Sequence, residues 1–283
     1  MKCSNTNCGS QVPDSLRNCP ACGSDAGFPN VRLANAQTEV TALQKRLEQA
    51  EASAAAGGYS DVLSNFGEAL LASKAVVARS LGIILNIIED ENIGYSTYHL
   101  DLISQTRTPK DNEFDRVRTQ FEAALFPNFH GQIRFGALSL DNQLLKSYGL
   151  YAMVLKEGMI AHRASVFEEN PYIFARRHKV LLTSPIPPGY RASWDRRDRL
   201  GKAKLYPKLG PNTKSGEFPK ILLEDRGGTG DSDFIEVHIF GSFNRNSIEK
   251  VIGPPPCRKE EKVLWAKLKR LMSDIGGTVE EIR

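Results

Sequence analysis

The chain has 283 residues, 41% hydrophobic and 25% charged with a formal net charge of +4, a balance that excludes a disordered or fibrous protein. Its longest central apolar run, residues 81–88, is far shorter than the roughly 20 residues that span a bilayer, so we expect no membrane helix. Polar sequence instead of a secretory signal follows Met1-Lys2-Cys3, and we expect a protein of the reducing cytoplasm.

Two close cysteine pairs open the chain. Four residues separate Cys3 from Cys8, and two separate Cys19 from Cys22. Four thiolates in two knuckles suit a tetrahedral Zn²⁺ ion, and so short a segment needs a metal to fold. Two disulfides are the alternative, but they require an oxidising compartment. Residues 1–28 resemble the zinc ribbons that bacterial proteins often carry at one end, and such ribbons bind proteins or nucleic acids.

Residues 31–56 are predicted to form a helix with an apolar seam. Small or apolar residues recur there at a 3-4-3-4 spacing, at Leu33, Ala36, Val40, Leu43, Leu47, Ala50 and Ala54. The seam at 33–54 suits a partner helix in a short coiled coil. Because three of these seven positions are alanine, packing on the body of the same chain is the alternative.

A helical region is predicted next, over residues 59–126. Apolar residues recur at helical spacing from Tyr59 to Glu89, after the break at Gly57-Gly58. A further amphipathic helix is predicted from 111 to 125 and ends at Phe126-Pro127. We interpret the stretch 59–89 as scaffold.

From His130 onward the apolar period becomes that of strands. Short apolar runs alternate with segments rich in Gly, Pro and Asn, at 131–138, 151–155, 180–182, 220–223 and 234–240. The sequence therefore predicts an α+β domain over residues 128–256. A cationic amphipathic helix, from Glu260 to Asp274, is predicted within the closing segment 257–283.

Positive charge is concentrated between residues 176 and 220. This stretch holds 12 Lys or Arg against three acids, a local excess of 12 − 3 = 9. Such a concentration attracts a polyanion through Coulomb steering and counterion release. A solvated loop is the alternative, since the stretch is rich in Pro and Gly.

One strand-like run, at 233–242, carries an acid and an imidazole two residues apart. Because side chains alternate along a strand, Glu236 and His238 would face one side, opposite the apolar residues between them. These polar groups are costly on a buried face unless they bind or catalyse something. On an edge strand the same pair would only face solvent.

Further polar residues lie at or beside the predicted strands. His130 and Gly131 open the first strand, Arg134 lies within it, and Arg163 and Ser165 follow a later one. Residues of these types delivered from separate strands indicate a cleft. Each residue alone has a simpler explanation as a turn, an ion pair or a helix cap.

Two motifs in this domain resemble the ADP-ribosyltransferase-like domains of bacterial toxins. The first runs Tyr148-Gly-x-Tyr-x-Met-Val-Leu-Lys156 and leads to Arg163-Ala-Ser165; the second runs Phe234-Ile-Glu236-Val-His238-Ile-Phe-Gly241. In that family a lysine-ended apolar strand precedes an Arg-Ala/Thr-Ser/Thr element, and a later strand carries Glu-x-Gln or a related pair before a glycine. The resemblance covers residues 128–255, and His238 departs from it.

The resemblance implies a split β-sheet domain that cleaves NAD⁺ and transfers ADP-ribose to a macromolecule. The reaction passes through an oxocarbenium-like state, which needs a carboxylate near the ribose, a grip on the diphosphate and exclusion of water. On this reading Glu236 is the carboxylate, Ser165 braces it or the ribose, and His238 belongs to the catalytic set.

The implied NAD⁺ ligands lie on other elements. Arg163 would pair with a phosphate as a bidentate fork. The first-strand ligand would be either His130 with Gly131, in one branch of the family, or Arg134, in the other, and the sequence leaves both open.

For the acceptor, the basic stretch 176–220 favours nucleic acid, RNA or DNA, over protein. The resemblance extends to an intracellular toxin of a toxin–antitoxin or phage-defence system, with an antitoxin or other protein bound at the ribbon or the 33–54 seam. Two other functions stay open. One is an NAD⁺ glycohydrolase, and the other is a non-enzymatic zinc-ribbon adaptor that binds nucleic acid.

Overall fold

The computed structural model describes residues 1–3, 5–96, 120–141, 143–180, 186–226 and 231–282. Over these residues the chain has a mixed α+β fold, in which helices pack against an eight-stranded sheet. No helix in the described ranges is long and apolar enough to cross a membrane.

The cysteine segment, residues 1–28, comes first and is followed by helices. Its two isolated β-bridges pair Lys2 with Gln11 and Asn18 with Asp25. The elements that follow are α1 (Pro29–Ala34), α2 (Gln37–Ala56), α3 (Ser60–Leu71), β1 (Lys74–Arg79) and α4 (Leu81–Glu89), and residues 120–125 are also helical.

The remaining elements are strands and helices in mixed order. They are β2 (Ile133–Ser139), β3 (Tyr151–Leu155), α5 (Glu157–Ile160), β4 (Ala164–Phe167), α6 (Pro171–His178), β5 (Arg191–Ser193), α7 (Arg197–Leu205), α8 (Phe218–Leu222), β6 (Glu236–Phe240), β7 (Ile248–Gly253), α9 (Lys259–Asp274) and β8 (Thr278–Glu281). The helix predicted from Glu260 to Asp274 is thereby confirmed.

The strand order is β5-β4-β6-β2-β1-β3-β7-β8, and every neighbouring pair is antiparallel except β7 with β8. β6 is therefore an interior strand between β4 and β2. Its register sets His238 opposite Ser165 on one side and Phe135 on the other. Directly opposed residues share a face of a sheet, so Phe135, Ser165, Glu236 and His238 define one face, here called the front face.

The back face of the sheet buries the main core. Val237 and Ile239 of β6 are fully buried there and join the apolar residues of α3, α4, α7 and α9. A second cluster covers part of the front face and consists of Leu125, Phe126, Phe129, Ile133, Phe167 and Phe174. Burial of each such side chain contributes about 1.5–3 kcal/mol before the cost of ordering the chain.

The helical prediction for residues 59–89 is wrong at residues 74–79, which form β1 in the middle of the sheet. All four central residues of Lys-Ala-Val-Val-Ala-Arg are buried. A strand buried on both faces is a continuous apolar run, and periodicity alone does not distinguish it from a buried helix. The sheet takes β1 from region 59–126 and β8 from segment 257–283, so it extends across both boundaries predicted for domain 128–256.

Two other strand predictions have different outcomes. The run 220–223 is mostly helical, within α8, where Pro219 occupies the first turn and is compatible with a helix start. Most of run 180–182 lies outside the described residues, as do residues 111–119 of the helix predicted over 111–125.

The predicted seam packs on the same chain. Leu43, Leu47, Ala50 and Ala54 are buried, and α2 packs against α7 and α3. The predicted 31–56 helix is also two helices, because the chain leaves helical geometry between α1 and α2. Of the two alternatives for the seam, packing on the protein's own body is the one that the structure shows.

Candidate functional site

The four cysteines of the cysteine segment come together with metal-ligand geometry. All four Sγ atoms lie within 4.8 Å of one another. The Cys3 and Cys22 Sγ atoms are 3.5 Å apart, and those of Cys8 and Cys19 are 3.8 Å apart. A tetrahedral zinc site with Zn–S bonds of about 2.3 Å places its sulfurs about 3.8 Å apart. The cluster can therefore hold a metal ion such as zinc.

Backbone and hydroxyl groups support this cluster. The backbone N–H groups of Cys3 and Cys19 donate to the carbonyls of Ser10 and Ser24, each at 2.9 Å, and these bonds close the two knuckles. The pKa values of two of the four thiols shift in opposite directions. Hydrogen bonding by Ser24 lowers the pKa of Cys22 to about 6, whereas the pKa of Cys3 rises to about 12, because the lowering effect of the Asn5 N–H is outweighed by burial and the other three thiols. A bound metal needs all four as thiolates.

A second site is an open pocket in the front face, beside the first residue of β6. Strands β1 and β2, helical residues 120–125, the start of α6 and the segment around residues 145–148 surround it. Its aromatic side chains are Phe121, Phe135, Tyr148, Tyr172 and Phe234, and its polar residues are Arg79, Glu122, Asn170 and Glu236. We call it the front-face pocket.

Glu236 lies on the wall of this pocket with His238 beside it. Both side chains are buried, 6% and 2% exposed, which excludes the solvated edge strand as an explanation for the pair. His238 Nε2 lies 3.1 Å from Glu236 Oε2. The rings of Phe126, Phe135 and Phe167 enclose the imidazole, with centroids 4.8, 5.2 and 5.9 Å away.

The imidazole of His238 is neutral. Burial, reinforced by the positive charge of Arg191, holds its pKa well below the usual 6.5. A neutral ring carries one N–H, and the contact with a carboxylate assigns that hydrogen to Nε2. His238 therefore donates to Glu236 and orients its carboxylate without adding a charge.

Ser165 is not directly opposite Glu236, the carboxylate that it was predicted to brace. On β4 the residue directly opposite Glu236 is Phe167, whereas Ser165 is opposite His238. The Ser165 hydroxyl accepts a hydrogen bond of 3.1 Å from Asn30 Nδ2. The structure thus brings Ser165 next to His238 and ties it to α1.

The two arginines predicted as NAD⁺ ligands donate hydrogen bonds to backbone carbonyls and do not line the front-face pocket. Arg134, on the back face opposite Ile239, donates through Nε to the Tyr95 carbonyl at 3.2 Å. Arg163 donates through Nη1 to the carbonyls of Phe240 and Ser242 at 2.7 and 2.8 Å. Burial lowers the pKa of both arginines.

His130 and Gly131 also lie away from the pocket. They belong to a 3₁₀ turn that leads into β2, whose first residue, Ile133, is opposite Phe240. Phe240 and Glu236 are four residues apart, which is about 13 Å along a strand. The structure therefore brings Glu236 and His238 together with Ser165 nearby, and places neither of the alternative first-strand ligands at the front-face pocket.

Sequence reasoning missed several pocket residues. Arg79 ends β1, which the sequence predicts as helix, and Glu122 belongs to the amphipathic helix predicted over 111–125. The available signal was local: four small or branched apolar residues bounded by Lys74 and Arg79 are typical of a short buried strand. Nothing in the local pattern around Glu122 marks it as a pocket residue.

The basic stretch 176–220 is largely neutralised. Lys204 and Arg197 are buried and pair with Asp233 and Glu157 at 2.5 and 3.0 Å. Eight of the twelve basic residues lie within ion-pair distance of a carboxylate: Arg176, Arg177, Arg191, Arg196, Arg197, Lys202, Lys204 and Lys208.

Comparison with known protein families finds no family model that matches this chain, and comparison with curated proteins finds no match. The likeness to ADP-ribosyltransferase-like domains accordingly rests on the motifs quoted above. The function of the front-face pocket has to be argued from its own residues.

Proposed function

We propose that this protein cleaves the nicotinamide–ribose bond of NAD⁺ in the front-face pocket and transfers the ADP-ribose to a macromolecule. One observation carries the proposal. The carboxylate of Glu236, held by the buried neutral imidazole of His238, lies on the wall of a pocket lined with aromatic rings.

Glu236 supplies the charge that the reaction needs. As the glycosidic C–N bond breaks, nicotinamide leaves with the bonding electron pair, and positive charge develops on the ribose. A fixed carboxylate beside that ring lowers the barrier because its charge is already in place. The acceptor then bonds to the ribose carbon and loses its proton. Here His238 is a positioning residue, since its N–H is directed at Glu236.

The remaining pocket residues suit a dinucleotide. Aromatic side chains offer flat surfaces for the nicotinamide and adenine rings. Arg79, at the end of β1, supplies a cation for the diphosphate in place of the predicted Arg163.

Nucleic acid is the acceptor class that we propose ahead of protein, because an excess of basic residues remains between 176 and 220. Its members without an ion pair among the described residues are Lys179, Arg199, Lys214 and Lys220. A growth-inhibiting role in a toxin–antitoxin or phage-defence system extends the same proposal.

The test follows isotopically labelled NAD⁺ with purified protein and a cell extract, compared with Glu236→Gln. Nuclease-sensitive label that disappears in the variant supports transfer to nucleic acid, and protease-sensitive label supports transfer to protein. If free ADP-ribose is the only labelled product, the reaction is hydrolysis of NAD⁺ and not transfer.

The matched control is Glu249→Gln, because Glu249 is a partly exposed carboxylate of the same sheet that pairs with Lys74. It should release nicotinamide at the wild-type rate. Absence of both label and nicotinamide release in the wild-type protein would reject the enzyme and favour the adaptor.

A further inference from the structure

We infer that the cysteine segment controls the position of the catalytic strand β6 through two residues of α1, Arg32 and Asn30, so that metal binding at one end of the protein regulates the front-face pocket. The inference rests on the proposed function for its effect on catalysis, and on geometry alone for its effect on β6.

The first link joins the cysteine segment to α1. The Arg32 guanidinium lies within hydrogen-bond distance of five carbonyl oxygens of that segment, those of Pro13, Asp14, Leu16, Ala26 and Gly27, at 2.8–3.4 Å. Three of these carbonyls lie between the two cysteine pairs, and two lie just after the second pair. One side chain therefore gathers both parts of the segment onto α1.

The second link joins α1 to β6 and β4. Asn30 is 1% exposed, and its Nδ2 lies 3.0 Å from the His238 carbonyl, 3.1 Å from Ser165 Oγ and 3.1 Å from the Arg163 carbonyl. The residue whose carbonyl Asn30 holds is the one whose ring orients Glu236. Only two positions along α1 separate this amide from Arg32.

An aromatic contact also holds the start of α1 against β6. The Phe28 ring, just before α1, lies 5.6 Å from the ring of Phe240 in β6. The contacts of Arg32 and Phe28 together keep Asn30 beside the His238 carbonyl.

Both links depend on a bound metal, because the cysteine segment needs one to stay folded. The apolar core of the cysteine segment consists of Cys3, Val12 and Cys19, with Cys8 and Ala26 packed on it, so the cysteines form most of it. So small a core does not hold a fold without a bound metal. α1 has six residues and no side-chain N-cap, and so short a helix is not stable alone.

These features predict the consequence of metal loss. The five carbonyls disperse, Arg32 loses its partners, and Asn30 withdraws from the His238 carbonyl. Neither Asn30 nor Arg32 lines the front-face pocket. We therefore expect kcat for nicotinamide release to fall by up to about 100-fold, because a 1 Å misplacement of a catalytic group can cost that much, with little change in KM.

The experiment uses the full chain and hydrogen exchange. Backbone exchange is compared between the metal-loaded protein, the same protein after chelation with its metal content measured, and metal-loaded Arg32→Ala. We expect exchange in β4 and β6 to become about fivefold faster or more in the last two samples. Exchange in α9 should not change, because α9 is far from α1 along the chain and packs near β8, at the opposite end of the sheet from β4.

The control variant is Arg270→Ala, which removes an exposed arginine from α9 and should leave exchange in β4 and β6 as in the wild type. Unchanged protection of β6 after chelation, with faster exchange confined to residues 1–28, would overturn the inference. So would loss of protection in α9 as well, because the cysteine segment would then support the whole fold instead of this strand. If the wild-type protein released no nicotinamide, the proposed function would fail, and exchange at β6 would still decide the inference.

Discussion

His238 departs from the Glu-x-Gln pattern, and its surroundings show what that departure changes. An exposed histidine at this position would titrate near neutral pH and could meet a substrate. Here three aromatic rings enclose it, and its pKa lies well below 6.5. Its available role is to donate a hydrogen bond to Glu236 throughout the physiological pH range.

Replacement of His238 should therefore act on kcat. We expect His238→Leu, which keeps most of the buried volume but removes the donor, to lower kcat for nicotinamide release about 10- to 100-fold. His238→Gln, which keeps an N–H donor, should recover part of the loss. Steady-state kinetics on both variants, with folding checked by circular dichroism, is the measurement. Equal activity of the leucine variant and the wild type would contradict the positioning role.

Glu169 offers a prediction that does not depend on function. Burial raises its pKa from 4.5 to about 7, against the lowering effect of Arg177 and Lys204. The folded protein thus keeps this proton at pH values where the unfolded chain has released it, and the stabilisation is lost as pH rises from 4.5 through 7.

Glu169→Gln cannot ionise and avoids that loss. We expect its free energy of unfolding, relative to wild type, to improve between pH 5 and pH 7.5. Urea denaturation of both proteins at the two pH values measures the difference. A difference that does not change with pH, or that changes in the opposite direction, would show that the carboxyl titrates normally in the fold.

At the scale of elements, strands with one polar face were easier to predict than buried ones. The run at 234–240 was recognisable because Glu236 and His238 interrupt its apolar sequence at intervals of two. β1 has no such interruption at its four central positions. Because apolar residues recur at helical spacing on either side of it, it was predicted as part of a helix. Its place in the sheet depends on partners more than 50 residues away, which a local pattern does not contain.

The close packing of β1 against β2 can be tested with a glycine. A Cβ at Gly136 would lie 2.8 Å from the Val76 carbonyl oxygen and 3.2 Å from Val77 Cγ2, so the strands would have to shift. We expect Gly136→Ala to destabilise the protein by about 1–3 kcal/mol in urea unfolding.

Gly131→Ala provides the comparison, because a Cβ there meets no atom within 4 Å. It should alter the free energy of unfolding by no more than about 0.5 kcal/mol. Gly131→Ala also tests the family resemblance, because an enzyme that bound NAD⁺ through Gly131 would lose activity on this substitution. Equal stability losses at the two glycines would contradict the register of β1 and β2.

For the whole molecule, the sequence predicted the α+β class, the clustering of the cysteines and the facing pair on β6. Each of these depends on residues close together in the chain. The remaining pocket residues, such as Arg79 and Glu122, come from segments that meet only through the sheet order. Arg134 and Arg163 show the opposite failure, because their positions fitted a motif while their guanidinium groups bind backbone carbonyls. The split-sheet architecture itself stays a prediction.

Charge across the molecule limits how nucleic acid can bind. If only the four residues of stretch 176–220 that have no ion pair within the described part of the chain contact phosphates, a plot of log K against log salt should have a slope of about −3.6 or shallower, from about 0.9 per contact. Fluorescence anisotropy with a labelled oligonucleotide at several salt concentrations measures it.

Substitutions show which residues contribute to that slope. Lys214→Gln should make it shallower by about one unit, whereas Lys208→Gln should not change it, because Lys208 pairs with Asp233 at 2.7 Å. A slope much steeper than −3.6 would mean that the ion pairs open when nucleic acid binds.

The position of β6 between β4 and β2 also has a consequence during synthesis. Both neighbours precede β6 in the chain, so on a ribosome they emerge with their facing edges unpaired, and unpaired strand edges are prone to association with other chains. The strand that closes this gap also carries Glu236. A nascent chain that ends before β6 thus lacks both the strand that joins β4 and β5 to the rest of the sheet and the carboxylate proposed to be catalytic.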